Sequence, residues 1–392
     1  MTRAFQPVTP GEFIRLHLVA RKSGFVIPPA PEYASRIPMN ASRITRRQFL
    51  GTTAAATAGL LTARARAVES FSLSFFVIGD THYLANAGKR DELDPLSAAT
   101  NSGLIETLNR LRGTAIPDAA GPGNVGEPRG VIHVGDLIDS GDKSDDAHRA
   151  MQETEVRAWL DAYGLNGEGG VLKYPVYEIH GNHDAPLGES AVMPHLIERN
   201  RKRAGVTHIS PNGLHYSWDW GPVHFVCLGI IVGSEKSVTR KRKFAALDSL
   251  DFLTADLAEK VGDSGRPVVL VHHVDLASNS LALDGPGPLE GRTWDPADVH
   301  AFYEAIKHCK FAAIFYGHTH ARNVFRWDGL NTKGREGIAV FNNDNSAHFK
   351  FDEQAFFHVE MNERELIVRE HKTLDRWNTA AWTPTSWTVP LL

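Results

Sequence analysis

Seven candidate metal donors stand in five short clusters: Asp80 and His82, Asp136, Asn182, His272, and His318 with His320. They mix carboxylate, amide oxygen and imidazole. That mix suits borderline metals such as Mn, Fe, Zn or Ni, and not Ca, which prefers oxygen alone. Seven donors exceed what one ion needs from a protein. Two ions sharing one carboxylate is the economical arrangement. Two metals about 3.5–4 Å apart can activate water and clamp both oxygens of an in-line displacement at phosphorus. A hydroxide between both ions is the natural nucleophile, since each cation lowers its pKa. A remaining imidazole can protonate the departing alkoxide or stabilise its charge. A lone Asp-x-His or Gly-His-x-His is more often structural; five ordered clusters together are hard to obtain by chance.

Each cluster follows an apolar run of strand type. Phe71–Gly79 leads into Asp80, Val131–Val134 into Gly135-Asp136, and Tyr174–Ile179 into His180-Gly181-Asn182-His183-Asp184. Val268–Val271 leads into His272-His273, and Phe311–Phe315 into Tyr316-Gly317-His318-Thr319-His320. Helical periodicity marks Ser97–Arg112, Asp146–Tyr163, Met193–Arg203, Leu247–Val261 and Asp298–His308. Strand, loop and helix thus alternate, and in open α/β sheets ligands bind at the carboxyl ends of the strands. A hairpin, Leu214–Trp218 and Val223–Leu228, turns at Asp219–Pro222. With β-like runs at Asn323–Trp327, Gly337–Phe341, Ala355–Glu360 and Leu366–Arg369, it predicts a second sheet packed on the first, with helices outside. Two polar insertions, Gly113–Gly130 and Asp275–Trp294, adjoin clusters and are either substrate rims or plain surface loops.

Composition sets the outer limits. The 392 residues are 42% hydrophobic and 22% charged, ordinary globular usage that argues against bulk disorder or coiled coil. The net charge of -4 gives no support to a stable nucleic-acid complex, which usually needs a basic face. Nineteen histidines permit a metalloenzyme. The two cysteines, Cys227 and Cys309, form no Cys-x-x-Cys pair, so a structural zinc knuckle is excluded; buried thiols are the expectation.

Asp80-x-His82, Gly135-Asp136, Gly181-Asn182-His183-Asp184, His272 and Gly317-His318-x-His320 resemble the five blocks of the calcineurin-like metallophosphoesterase superfamily, in its usual order. The resemblance spans roughly Phe71 to His320. It implies a four-layer α/β/β/α sandwich with the site at the strand ends. It also implies two divalent or trivalent transition-metal ions. Asp80, His82 and His320 would hold one; Asn182, His272 and His318 would hold the other; Asp136 would bridge. His272 is preferred to His273 because the family ligand directly follows its strand. His183 would assist the leaving group, and Asp184 would orient it by a hydrogen bond. The sequence also departs from two branches of that superfamily. Purple acid phosphatases carry Tyr three residues after the bridging Asp, where Asp139 stands in this chain, so no tyrosinate ligand is expected. Protein phosphatases carry Gly-Asp-x-x-Asp-Arg-Gly; Ser140 stands in place of that Arg, which weakens a protein-phosphatase role. The blocks identify a chemistry, hydrolysis of a phosphomonoester or phosphodiester, and not a substrate.

The N-terminus reads as an address. Thr45-Arg46-Arg47-Gln48-Phe49-Leu50 is a twin-arginine pattern, followed by an apolar stretch to Leu61 and small residues at Ala65 and Ala67. The apolar stretch is about 13 residues, against the roughly 20 needed to span a bilayer. Residues 39–67 are thus expected to be a signal read by the twin-arginine export machinery, with Met39 the true start and residues 1–38 an over-extended or disordered lead. The mature domain would be 68–392, periplasmic or secreted, without a transmembrane span.

Other residues are weaker signals. Trp218, Trp220 and Trp294 could stack on a base or sugar, but core packing is the plainer expectation. His180, His215 and His224 lack ligand spacing. Asn342-Asn343-Asp344-Asn345 either lines a rim or makes turns. Two rivals to a phosphoesterase remain. A non-catalytic binding or scaffold member should lack ligands that are intact in this sequence. A metal-dependent hydrolase of a non-phosphate bond fits the asparagine ligand less well.

Overall fold

The computed structural model describes residues 70–236, 238, 241–276, 293–330 and 335–391. The export signal expected at 39–67, the lead at 1–38 and most of the Asp275–Trp294 insertion lie outside the described residues.

Thirteen strands build the two large sheets. They are β1 Ser72–Ile78, β2 Pro128–His133, β3 Val176–Glu178, β4 Val206–Ile209, β5 Tyr216–Trp220, β6 Val223–Gly229 and β7 Val268–His272. β8 Phe311–Tyr316, β9 Asn323–Trp327, β10 Ile338–Asn342, β11 Gln354–Asn362, β12 Glu365–Thr373 and β13 Ala381–Pro390 follow. The first sheet has the order β13-β12-β11-β1-β2-β3, the second β9-β10-β8-β7-β6-β5-β4. Both are mixed. β1, β2 and β3 run parallel, as do β6, β7, β8 and β10, while the remaining strands pair antiparallel. Parallel central strands bring their carboxyl ends to one edge.

Alternation along the strands explains the layering. In β1, Phe75 and Val77 face the core between the sheets, with Trp218, Phe225, Phe315 and Phe357. Phe76 and Ile78 face the opposite way, onto Leu104, Leu108 and Trp159 of helices α1 (Pro95–Leu111) and α2 (Asp146–Tyr163), with Leu196 of α3 (Val192–Lys202) beside them. In the second sheet, Val226 and Leu228 pack outward onto Leu253 of α4 (Ser249–Asp256) and Phe302 of α5 (Pro296–Ile306). The fold is therefore a four-layer α/β/β/α sandwich. Helix starts have local causes: Asp94 accepts from the Leu96 and Ser97 amides with Pro95 at the first turn, and Asp145 caps α2 through His148 N.

Two strands of the large sheets were missed by the sequence patterns. β4 is short and half-exposed, and β13 contains Pro384 and Pro390. β13 lies at the sheet edge, where a residue without an N–H is tolerated. Trp218, Trp220 and Trp294 are core residues. Cys227 faces the inter-sheet core, Cys309 packs on the outer cluster, and both are free thiols. Among the described residues no helix is long and apolar enough to cross a membrane.

Candidate metal centre

The loops after β1, β2, β3, β7 and β8 meet at one edge of the sandwich. The first two are zipped by backbone: Asp80 N donates to the Gly135 carbonyl at 2.9 Å and Thr81 N to the Asp136 carbonyl at 3.0 Å. The β8 loop is tied to β7 by Gly317 N and the His273 carbonyl at 3.0 Å, and Asn342 holds the Gly317 carbonyl from β10 at 3.0 Å. The turns are tight. Asp80, His82, Asp136, His318 and His320 all have positive φ, between 43° and 74°. Such backbone costs of order 1–3 kcal/mol per residue and clusters at sites where it aims a side chain. Glycine is required at two positions. A Cβ on Gly181 would stand 2.2 Å from Asp136 Oδ1, and one on Gly317 would stand 2.5 Å from Asp80 Oδ2.

Asp136 is central and 1% exposed. Its Oδ2 lies 3.2 Å from His273 Nε2 and 3.5 Å from His82 Nε2, and its Oδ1 accepts from His183 N at 2.8 Å. On one side stand Asp80, His82 and His320, with His82 Nε2 and His320 Nε2 3.2 Å apart and His320 Nε2 3.3 Å from Asp80 Oδ1. On the other side stand His273, His318 and Asn182, whose Oδ1 is 3.1 Å from His273 Nε2. Two donor groups of ligand geometry, Asp80-His82-Asp136-His320 and Asp136-His273-His318, share Asp136.

Two sequence expectations need correction. His272 is not in this cluster; His273 is. β7 runs one residue further than its apolar stretch indicates and ends on His272, so the residue directly past the strand is His273. Strand parity gives the same answer. Val268 and Leu270 face the outer core and Val269 and Val271 the inner, which sends His272 outward against Trp294, Phe302 and Tyr316. Asp184, in turn, does not bond to His183. Its carboxylate accepts from the Leu137 and Ile138 amides, both at 2.9 Å, and from Gly181 N at 2.7 Å. It pins the Asp136 turn to the Asn182 turn. The His183 ring is held instead by the Asp139 carbonyl, which accepts from Nδ1–H at 3.1 Å.

Two residues were not singled out as site residues by the sequence. Asp139 accepts from His82 Nδ1 at 3.2 Å, the carboxylate–histidine pairing that fixes the tautomer of a metal-binding imidazole. His348 packs its ring on His82 and His320. The place of Asp139 in the chain was legible, three residues past Asp136; His348 carries no spacing signal at all.

The electrostatics favour a cation. Burial alone would drive both neighbouring histidines down. It does so for His272, to about 3. For His273 burial is outweighed by Asp136 and Asp80, and the imidazole is pushed up to about 9. A pocket that holds a proton so firmly is one in which positive charge is stabilised. Asp80 Oδ2 is buried and has no hydrogen-bond partner among the described residues. An orphaned oxygen on a carboxylate whose other oxygen lies 3.3 Å from His320 Nε2 fits a metal ligand and is otherwise expensive. The donor set therefore fits a metal site.

The sequence model for "Calcineurin-like phosphoesterase" matches residues 73–322, more than half of the chain. The chain belongs to that family. Similar solved structures include a dimetal phosphatase from Danio rerio, 13% identical, with TM-score 0.50, covering 82% of this chain and 99% of that one. They also include a predicted phosphoesterase from Streptococcus pneumoniae, 12% identical with TM-score 0.33, covering 82% of this chain and 98% of that one. Vacuolar Protein Sorting 29 from Cryptosporidium parvum is 13% identical with TM-score 0.34, covering 82% of this chain and 99% of that one. No curated protein matches.

Proposed function

We propose that the protein is a dinuclear metal-dependent phosphoesterase that hydrolyses a phosphomonoester or phosphodiester. The observation that carries this reading is the placement of Asp136 between two donor groups. Asp80, His82 and His320 would hold one ion, Asn182, His273 and His318 the other, and Asp136 both. The ions are transition metals of the Mn, Fe, Zn or Ni kind. When bound, they supply Lewis acidity toward phosphoryl oxygens and acidify the attacking water.

The protein's own groups do the rest. Asp139 holds His82 by Nδ1, leaving Nε2 as its donor atom. Asp184 fixes the two turns that carry Asp136 and Asn182. His183 is 4.8 Å, ring to ring, from His82, and its Nδ1–H is committed to the Asp139 carbonyl. Nε2 is then the atom that gives a proton to the departing alkoxide. Burial lowers its basicity, but Asp136, the Asp139 carbonyl and Asp142 together outweigh this and raise its pKa, which favours the acid form. We further propose twin-arginine export through residues 39–67 and a periplasmic or secreted domain at 68–392.

The test is hydrolysis of p-nitrophenyl phosphate and its bis ester after reconstitution with Mn, Fe, Zn or Ni. Activity should require metal, with about two ions per chain. His183→Ala should keep the metal and lose on the order of 10²–10⁴ in kcat. Metal-loaded protein inert toward every phosphate ester would leave a non-catalytic member of the family as the better reading.

A further inference from the structure

His348 lies in the loop 343–353 between β10 and β11, and this loop is built onto the metal centre. Ser346 N donates to the Gly79 carbonyl at 2.9 Å, and Gly79 N to Ser346 Oγ at 3.1 Å, one residue before Asp80. Ser346 Oγ donates to the Ala355 carbonyl at 2.9 Å, and Trp377 Nε1 to the Ser346 carbonyl at 2.8 Å. Asn345 Oδ1 accepts from His348 N at 3.0 Å. The result is a fixed ring, 5% exposed, whose centroid is 4.2 Å from that of His82 and 4.8 Å from that of His320.

Proximity alone would make His348 another metal donor, since His82, His320 and His348 offer nitrogens within 4.8 Å of one another. Hydrogen bonding points elsewhere. Lys350 N donates to His348 Nδ1 at 3.2 Å. A backbone amide only donates, so Nδ1 holds a lone pair. A neutral imidazole then carries its proton on Nε2. A metal needs a lone pair at the nitrogen it meets; an N–H meets an anionic oxygen. We propose that His348 is a substrate-contacting residue whose Nε2–H binds a phosphoryl oxygen of the ester, on the flank formed by His82 and His320. The proposal rests on the phosphoesterase reading and adds a phosphate-binding residue outside the family's five blocks.

The test uses the metal-loaded full chain with inorganic phosphate as the probe, and metal content is measured in parallel. His348→Phe keeps a ring and removes the donor. His348→Gln places an amide N–H near the reach of Nε2. Both variants should hold as many ions as the wild type. Phosphate affinity should fall on the order of tenfold in His348→Phe, the worth of a hydrogen bond to a charged group. In His348→Gln it should stay within about threefold of wild type. Loss of bound metal in His348→Phe would make the residue a ligand and overturn the proposal. So would unchanged phosphate affinity in the metal-replete variant, or a Gln variant as weak as the Phe one. If the Phe variant does not fold by circular dichroism, His348→Ala takes its place with the same expected losses. A wild-type protein that binds no metal, or no phosphate once loaded, overturns the phosphoesterase reading itself, and this proposal with it.

Discussion

His82 Nε2 and His320 Nε2 face each other at 3.2 Å although 238 positions separate them in the chain. Asp139 accepts a hydrogen bond from His82 Nδ1–H, so the facing nitrogen of His82 is the one with the lone pair. A proton on His320 then serves both His82 and Asp80, and the His320 pKa is raised accordingly: burial lowers it, and Asp80 more than compensates. His273 is pushed up to about 9 by Asp136 and Asp80 in the same way. Protons thus occupy positions that cations would take.

Metal binding should therefore release protons. A histidine must be neutral to ligate, so apparent affinity should rise with pH, by up to about tenfold per unit, and level off near the His273 value of about 9. Calorimetric titrations in buffers of different ionisation enthalpy, at several pH values, measure both effects. An affinity independent of pH below that value would contradict the ligand role of His273.

The adjacent pair His272 and His273 gives a second prediction. His273→Ala should lose one ion and at least about a hundredfold in kcat, as expected when a metal's charge stabilisation is removed. His272→Phe should keep both metal and activity. The His272 ring is stacked on Tyr316, and neither nitrogen makes a hydrogen bond among the described residues. A phenyl ring satisfies that apolar setting, so thermal stability should change by less than about 1.5 kcal/mol in either direction. If His272→Phe were the variant that lost metal, the assignment of His273 to the metal centre would be wrong.

Asp139 supports a third. It accepts from His82 Nδ1 without itself belonging to the two groups around Asp136. Asp139→Asn preserves shape and removes the charge that fixes the His82 tautomer. Metal affinity or activity should drop about 10- to 100-fold, the usual effect of losing such a partner. Metal titration of the variant checks this; full affinity would mean that the pairing does nothing for His82.

The strand-end clusters were legible in the sequence because an apolar β run followed by Gly-Asp or Gly-Asn-His has few other uses. Parity was legible too. Val269 and Val271 fall on the inner side of β7, and that alternation puts His272 on the outer side with Val268 and Leu270. Asp184 was misread because it stands next to His183, whereas in the turn its carboxylate faces back to the Leu137 and Ile138 amides. His348 was beyond reach. Its position depends on Ser346 bonding to Gly79, 267 residues away, and no local pattern encodes such a contact.

Glu178 carries the last prediction, on stability. It ends β3, is 1% exposed, and accepts from Arg199 Nε at 2.7 Å and Arg203 Nη2 at 2.6 Å. Burial would raise its pKa, but Arg199 and Arg203 outweigh burial and hold it at about 2, below its ordinary 4.5. The folded value lies below the unfolded one, so the carboxylate's contribution is full above about 4.5 and is lost as pH falls toward about 2. Glu178→Gln leaves two buried guanidiniums without their counter-charge and should destabilise by about 3–5 kcal/mol at neutral pH. The gap from wild type should narrow in acid, because below about 4.5 the unfolded wild-type chain takes up a proton that the folded carboxylate resists until about 2. Denaturant unfolding of both proteins at pH 7 and pH 3 measures this. A gap of equal size at both values would mean that the charge on Glu178 contributes nothing and that its packing alone is what the fold uses.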